Sequence, residues 1–210
     1  MQALFVHGMG RSPLSGWRLL ARLRRAGFRT HTLGYATPFQ TFDSIRKRLV
    51  VQLEALPATD DDYIVIGHSL GGVLLRAAIA GLPPGTHPPR QIFLLGSPIQ
   101  AARLAQALQR HWLYRILAGD CGQLLASPAR MAAIGSTPIP TLCILGITGW
   151  KGRLNPFEGA ENDGIVSVFE ARAPWAEKEI RIPAIHTCLP SNRQVSGIIL
   201  AQLAASRVSD

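Results

Sequence analysis

Residues Tyr63–Gly72 read Tyr-Ile-Val-Ile-Gly-His-Ser-Leu-Gly-Gly. The apolar run at the start is too short for a helix and rich in β-branched residues, which is typical of a buried parallel strand. A helical pattern follows over Leu70–Ala80. Ser69 lies between Gly67 and Gly71, and glycine removes the Cβ atoms that would clash in a sharp turn from strand to helix. The stretch therefore predicts a strand, a strained turn and a helix, with the Ser69 hydroxyl above the sheet edge as a candidate nucleophile. A tight turn made by Gly67 and Gly71 without a catalytic role is the alternative.

Short apolar runs alternate with helical patterns on both sides of this stretch. The other predicted strands are Ala3–His7, Phe28–Gly34, Gln91–Leu95, Thr141–Ile147 and Lys178–Ile182, and the other predicted helices are Trp17–Ala26, Phe42–Leu56 and Ser191–Ala205. Strands separated by helices in this way indicate parallel β-α units. We therefore predict a three-layer α/β fold, in which a mostly parallel sheet of about six strands carries helices on both faces. We expect residues 1–210 to form one domain.

Residues 99–140 are the least regular part of the sequence. They contain short helical patterns at Ala101–Gln109 and Leu113–Leu117, separated by glycines and prolines. Such a segment between two sheet strands often covers an active site, although a crossover helix with a long loop fits the pattern equally well. We predict a cap-like insertion here. Its apolar residues are candidates for substrate binding, with packing under the cap as the alternative for each: Trp112, Leu113, Leu117 and Leu124.

The composition is that of a globular protein, since 47% of the residues are hydrophobic and 17% are charged, and this excludes a wholly disordered chain. No apolar run approaches the roughly 20 residues that a membrane span requires. Residues Met1–Val6 resemble a core strand rather than a secretory signal. The three cysteines, Cys121, Cys143 and Cys188, show no metal-ligand spacing. We therefore expect reduced thiols, a cytoplasmic protein, and neither a metal ion nor another cofactor.

The chain is basic, because 22 Lys and Arg residues stand against 13 Asp and Glu residues and give a formal net charge of +9. The densest cluster falls on the predicted helix Trp17–Ala26 and the turn after it, and comprises Arg18, Arg22, Arg24, Arg25 and Arg29. A solvated helix face is the favoured interpretation. Attraction to acidic surfaces or anionic substrates is the alternative. We expect no nucleic-acid partner, and the charge is compatible with transient contact with a membrane surface.

Acyl transfer by a serine requires N–H donors for the negative charge that develops on the carbonyl oxygen. The N–H of Leu70, directly after the serine, is one candidate. The segment after the first predicted strand, His7-Gly8-Met9-Gly10, offers the second, because its glycines permit close backbone approach. We predict Met9 and Leu70 as the oxyanion donors, with His7 and Gly8 bordering the substrate. A simple glycine turn is the alternative, and His7 itself is interpreted as a turn residue rather than as a catalyst.

Six histidines compete for the role of base. His186 follows the last predicted strand, and strands of a parallel sheet end together, so it should lie at the same sheet edge as Ser69. We therefore favour His186, with a capping or packed loop histidine as the alternative. The remaining histidines lie in a strand pattern, in loops or directly beside the serine, where the ring should point away from the hydroxyl: His31, His87, His111 and His68.

The third catalytic residue should be a carboxylate between Ser69 and His186 in the chain, in a loop after a strand, where it would hold the imidazole in the correct tautomer. Asp163 in Asn162–Ser167 meets these conditions. Glu158, Glu161 and, less well placed, Asp120 are alternatives. An ordinary Asp-Gly turn is the structural alternative for Asp163.

Five motifs in this order resemble those of the α/β-hydrolase superfamily, in particular its compact lipase-like and esterase-like members, including relatives of the bacterial triacylglycerol lipases and PGAP-type deacylases. They are His7-Gly8, Gly67–Gly72, Leu95–Pro98, Asn162–Ser167 and His186-Thr187. The resemblance implies Ser69 as nucleophile, Asp163 as acid and His186 as base. It also implies that the N–H groups of Met9 and Leu70 form the oxyanion hole.

The function we predict is hydrolysis of small or medium acyl esters or lipids by a metal-free serine esterase, through an acyl-enzyme intermediate. The same three residues would also serve an acyltransferase, a thioesterase or an amidase. A catalytically silent α/β-hydrolase scaffold that binds a partner through its arginine-rich helix is the alternative from another class.

Overall fold

The computed structural model describes residues 1–56, 62–152 and 155–206. Its strands are β1 Gln2–Val6, β2 Arg29–Leu33, β3 Tyr63–His68, β4 Gln91–Leu95, β5 Thr141–Gly146 and β6 Lys178–Ile182. They form one six-stranded sheet in the order β2-β1-β3-β4-β5-β6, and every neighbouring pair is parallel. The predicted α/β fold class is confirmed, and the observed strand ends agree with the sequence patterns to within about two residues.

The helices are α1 Trp17–Arg25, α2 Phe42–Ala55, α3 Leu70–Ile79, α4 Arg103–Leu108, α5 Trp112–Ala126, α6 Pro128–Ala132, α7 Val168–Ala171 and α8 Arg193–Ser206. Short 3₁₀ turns occupy Pro13–Gly16 and His186–Ser191. The pattern at Leu113–Leu117 underestimates α5, which continues beyond a backbone break at Gly119 with φ +56° and ψ −148°. Helices α6 and α7 span five and four residues, which is too short to show a helical periodicity.

Apolar clusters on the two faces of the sheet hold the layers together. Phe5 and Ile66 pack on one face with Leu19 and Leu23 of α1 and Val195 of α8. The alternating residues of the same strands, such as Leu4 and Val65, pack on the other face with α2 and α3. Successive side chains of a strand point to opposite faces. A continuous apolar run such as that of β3 is therefore the expected sequence of a strand buried on both sides.

In the turn from β3 to α3, residues 67–71, the backbones of neighbouring elements approach closely. A Cβ atom on Gly67 would collide with the backbone of Gly72, and one on Gly71 would collide with the carbonyl oxygens of Val6 and His7. Ser69 itself has φ +53° and ψ −125°, a region that L-residues rarely adopt. Glycine on both sides of the serine is thus required by the close approach of β1, β3 and α3.

Residues 99–140 connect β4 to β5 and contain α4, α5 and α6. Their contacts reach across to the loop before α2. The Thr37 hydroxyl donates to the Leu117 carbonyl at 3.0 Å, and the Phe42 N–H donates to an Asp120 carboxylate oxygen at 2.8 Å. These contacts attach the segment to the loop before α2 and to the start of α2, close to the break in α5. A cap-like function for this segment and a single domain over residues 1–210 stay predictions.

Two features of the chain bear on its surroundings. Within residues 1–56, 62–152 and 155–206, no helix combines the length and apolar character needed to cross a bilayer. Cys121 and Cys143 are buried free thiols, and Cys188 is an exposed one. Burial raises the pKa of both Cys121 and Cys143 to about 12, so these two thiols remain protonated at neutral pH.

Replacing Gly71 by alanine tests the constraint at the β3–α3 turn. The added Cβ would displace the end of β1, so we expect Gly71→Ala to lower the free energy of unfolding by about 3 kcal/mol. Gly197 is the matched control, because it lies in α8 with open space around its Cβ position. Gly197→Ala should raise the free energy of unfolding by roughly 0.5–1 kcal/mol. Urea unfolding measures both, and equal stabilities would contradict the account.

Candidate active site

Three sequence-predicted residues lie in loops that leave the same edge of the sheet. Ser69 follows β3, Asp163 lies in the connection after β5, and His186 comes shortly after β6. Ser69 is half-buried, whereas Asp163 and His186 are 3% and 5% exposed. Because the strands are parallel, residues that are far apart in the chain come to the same edge of the sheet. Asp163 and His186 are in direct contact, whereas no hydrogen bond joins the Ser69 hydroxyl to His186 in the described residues, so that pairing stays a prediction.

Asp163 and His186 form a direct, buried contact. A carboxylate oxygen of Asp163, Oδ2, lies 2.6 Å from His186 Nδ1, and the His186 backbone N–H donates to the Asp163 carbonyl at 2.8 Å. The other carboxylate oxygen, Oδ1, accepts from the N–H groups of Ile165 at 3.0 Å and Val166 at 2.8 Å. The carboxylate is thus fixed, and a proton held on Nδ1 leaves the lone pair of Nε2 available as a base.

The alternative carboxylates make contacts elsewhere. Glu161 pairs with Arg181 at 2.8 Å, and Glu158 pairs with Arg103 at 3.0 Å on the surface. Asp120 accepts from the N–H at the start of α2 and pairs with Arg130 at 2.8 Å. Asp163 is therefore the carboxylate that the structure brings to the imidazole.

The loop after β1 lies directly against Ser69. A Cβ atom on Gly8 would be 3.1 Å from the Ser69 Cβ and 3.1 Å from His68 Nδ1. Leu70 is the first residue of α3, and the first N–H groups of a helix lack an intrahelical acceptor. In the described part of the chain, neither the N–H of Met9 nor that of Leu70 has a hydrogen-bond acceptor. The role of these two groups as oxyanion donors stays a prediction.

His7, at the start of this loop, is held in place by contacts with Tyr35. Its ring stacks on Tyr35 with centroids 4.1 Å apart, and the Tyr35 hydroxyl donates to the His7 carbonyl at 2.5 Å. Burial lowers the pKa of His7, and a hydrogen bond with the Gly8 carbonyl partly opposes this shift. These contacts agree with the interpretation of His7 as a turn residue.

An apolar cavity of about 390 Å³ borders the acid and the imidazole. Trp150, Ile165 and Ile185 contribute its large apolar side chains, and they are 53%, 45% and 44% exposed. None of these three residues is among those predicted to bind substrate. The available signal was position, because Ile165 follows Asp163 by two residues and Ile185 immediately precedes His186.

The predicted substrate-binding residues of the 99–140 segment lie apart from this cavity. Trp112, Leu113 and Leu117 are 64%, 44% and 61% exposed, and none of them lines it. Leu124 is 3% exposed and belongs to the core cluster on the α2 and α3 side. Leu124 therefore packs in the core, which is the alternative given for it above. Substrate binding by Trp112, Leu113 and Leu117 remains a prediction.

A larger cavity of about 870 Å³ lies at the opposite edge of the sheet, where the strands begin. Its lining includes Asp62, Gln91 and Thr141, which precede or start β3, β4 and β5. It is therefore remote from Ser69 and His186. No group of three or more His, Cys, Asp or Glu side chains within the described residues is arranged to hold a metal ion.

Residues 3–193 match the model of the alpha/beta hydrolase family, and the chain belongs to this family. Comparison with curated protein sequences finds no match. Among solved structures, the mature form of lipase BlEst2 from Bacillus licheniformis is similar at a TM-score of 0.78 and 19% identity, over 96% of this chain and 91% of that one. A methylesterase from Arabidopsis is similar at a TM-score of 0.64 and 15% identity, over 97% of this chain and 99% of that one. The RedJ thioesterase from the prodiginine biosynthetic pathway of Streptomyces coelicolor is similar at a TM-score of 0.60 and 16% identity, over 97% of this chain and 84% of that one. At these identities the likeness is one of fold.

The buried His68 predicts a pH dependence of stability. Burial, followed by the electrostatic influence of the nearby His186, Arg11 and His7, lowers its pKa well below the ordinary 6.5, although a hydrogen bond to the His186 carbonyl opposes the shift. The unfolded chain therefore binds this proton first as the pH falls. The contribution of neutral His68 to the free energy of unfolding is therefore complete above about pH 6.5. Below that pH the free energy of unfolding falls by up to about 1.4 kcal/mol per pH unit.

His68→Gln removes this titration, so we expect the free energy of unfolding to fall less steeply below pH 6.5 than in the wild type. Urea unfolding across this range measures the two slopes. Identical slopes would contradict the pKa assigned to His68.

Proposed function

We propose that the protein is a serine esterase that cleaves carboxylic esters through an acyl-enzyme intermediate. The 2.6 Å contact between Asp163 Oδ2 and His186 Nδ1 carries the proposal. It supplies an oriented base at the sheet edge where Ser69 occupies a strained turn with φ +53°. A nucleophile on a strained turn, an oriented imidazole and unpartnered N–H groups are the parts that acyl transfer requires.

In the proposed reaction, His186 Nε2 takes the proton of the Ser69 hydroxyl as Oγ attacks the ester carbonyl carbon. The negative charge on the carbonyl oxygen is stabilised by the N–H groups of Met9 and Leu70. The imidazolium returns its proton to the leaving alcohol as the carbon–oxygen ester bond breaks. Water then repeats the sequence against the acyl-serine and releases the acid. Asp163 holds the imidazole tautomer throughout.

The apolar cavity beside the imidazole supports an ester with an apolar portion as the substrate. Trp150, Ile165 and Ile185 offer contact surface for a small or medium acyl chain or for a lipid. Burial of such a portion would contribute about 0.8 kcal/mol per methylene. The proposal needs no cofactor, and the two buried free thiols, Cys121 and Cys143, agree with a cytoplasmic location.

The arginine-rich face of α1 supports transient contact with an anionic membrane surface. Arg18, Arg22 and Arg25 lie on one stripe of α1, and Arg193 of α8 adjoins them. Burial and then the charges of Arg193, Arg18 and Arg25 lower the pKa of Arg22, and no carboxylate among the described residues pairs with any of the four. Trp17, beside this stripe, is 56% exposed. Unneutralised arginines beside an exposed aromatic residue are suited to anionic lipid headgroups.

A fluorophosphonate probe tests the nucleophile. Wild-type protein should be labelled at Ser69, and Ser69→Ala should remain unlabelled, because the probe reacts only with an activated hydroxyl. Intact-protein mass spectrometry measures the adduct, and hydrolysis of p-nitrophenyl esters of graded chain length measures the activity. Labelling that persists in Ser69→Ala would reject the assignment, whereas a folded wild type without labelling or turnover would favour a silent scaffold. Thioester and amide substrates in the same assay distinguish the alternative hydrolases, and an added alcohol detects acyl transfer.

Asp163→Asn tests the acid. The amide presents the wrong partner to Nδ1, so we expect kcat to fall by about 10⁴ while the fold is retained. Glu161→Gln is the control, because Glu161 pairs with Arg181 at the surface. Its kcat should stay within about twofold of the wild type. Equal activity of Asp163→Asn and the wild type would shift the role of acid to another carboxylate.

Vesicle co-sedimentation tests the membrane contact. Arg18→Gln/Arg25→Gln should bind anionic phosphatidylglycerol vesicles about 30-fold more weakly than the wild type, at about 1 kcal/mol per arginine. Arg24→Gln/Arg29→Gln removes the same charge outside the stripe and should bind more tightly than the first pair. Equal weakening in both pairs would indicate an effect of net charge alone, and equal binding to neutral vesicles would contradict the contact.

A further inference from the structure

We propose that His68 is a positioning residue, which holds the loop of the base by donating a hydrogen bond from its Nε2 to the His186 backbone carbonyl. The inference rests on the proposed role of His186 as base. His68 directly precedes Ser69 in the chain and is 2% exposed. Its Nε2 lies 3.0 Å from the His186 carbonyl oxygen, and the two rings are 4.8 Å apart.

The hydrogen-bond partner assigns the tautomer of His68. A carbonyl oxygen only accepts, so Nε2 must carry the proton, and a neutral ring then has its lone pair on Nδ1. Nδ1 is buried and has no hydrogen-bond partner within the described residues. It faces the loop after β1, where a Cβ on Gly8 would be 3.1 Å away. A second proton at Nδ1 would find no acceptor, so the site suits a neutral ring that donates in one direction.

His68 thereby completes the attachment of His186. The His186 N–H and Nδ1 both bond to Asp163, at 2.8 and 2.6 Å, and these contacts fix one side of the residue. The His68 bond to the carbonyl fixes the other side from the β3–α3 turn. One side chain therefore couples the position of the base to that of the serine. A displacement of about 1 Å between such groups costs about 100-fold in rate.

Replacing His68 by glutamine and by asparagine separates this role from simple packing. The Gln Nε2 amide reaches about as far from the backbone as the histidine Nε2, whereas the Asn amide ends near the depth of Nδ1. His68→Gln should keep kcat within a few-fold of the wild type. His68→Asn and His68→Leu should lower kcat about 10-fold to 100-fold with little change in KM. His31→Leu is the control, because His31 lies on the edge strand β2 and bonds to Gln2 of β1, and it should leave kcat unchanged.

The kinetic constants are measured with a p-nitrophenyl ester, and urea unfolding establishes that each variant is folded. Equal kcat in His68→Gln and His68→Asn would overturn the positioning role, as would wild-type kcat in folded His68→Leu. Loss of the proposed function would look different, since wild type and Ser69→Ala would then be equally inactive. That result would reject both inferences.

Discussion

The close approach of β1, β3 and α3 is the constraint on which the rest of the structure depends. It holds because Gly67 and Gly71 carry no Cβ, and their neighbours leave no room for one. The same approach forces Ser69 to φ +53° and brings Gly8 against it. Backbone strain of this kind costs about 1–3 kcal/mol and persists only where the surrounding packing imposes it. Here the two apolar faces of β3 supply that packing.

The parallel arrangement of the strands places the other residues of the candidate active site at the same sheet edge as this strained turn. Asp163 and His186 belong to loops that leave the same sheet edge as Ser69, and burial of both side chains strengthens the contact between them. The Asn162 side chain stabilises the acid loop, because its Oδ1 accepts from Trp150 N–H at 2.8 Å and Gly164 N–H at 3.1 Å. The loop that orients the carboxylate therefore also places Trp150 at the apolar cavity. Positioning of the acid and shaping of the cavity share one set of contacts.

The sequence predicted the strands, the fold class and the meeting of Asp163 with His186, because each rests on short-range patterns and on the rule that parallel strands end together. It did not predict the lining of the cavity. The exposure of Trp150 and Ile185 depends on how two separate loops pack, which leaves no periodic signal in either. Leu124 shows the converse, since an apolar residue in an irregular segment fits a core and a pocket equally well until tertiary contacts distinguish them.

Short elements were missed for a related reason. Helix α7, Val168–Ala171, is defined by Glu170, whose carboxylate accepts from the Ser167 N–H at 2.6 Å and from the Arg103 N–H at 2.5 Å. The first contact is a local capping box. The second joins the helix to the 99–140 segment across 67 residues of chain, and no local pattern contains that partner.

A crystal structure of the fluorophosphonate-treated protein tests the central claim most directly. We predict phosphorus bonded to Ser69 Oγ, with a phosphoryl oxygen about 2.7–3.1 Å from the backbone nitrogens of both Met9 and Leu70. His186 Nε2 should face the adduct while Nδ1 stays on Asp163. An adduct on another residue, or a phosphoryl oxygen directed away from both nitrogens, would contradict it.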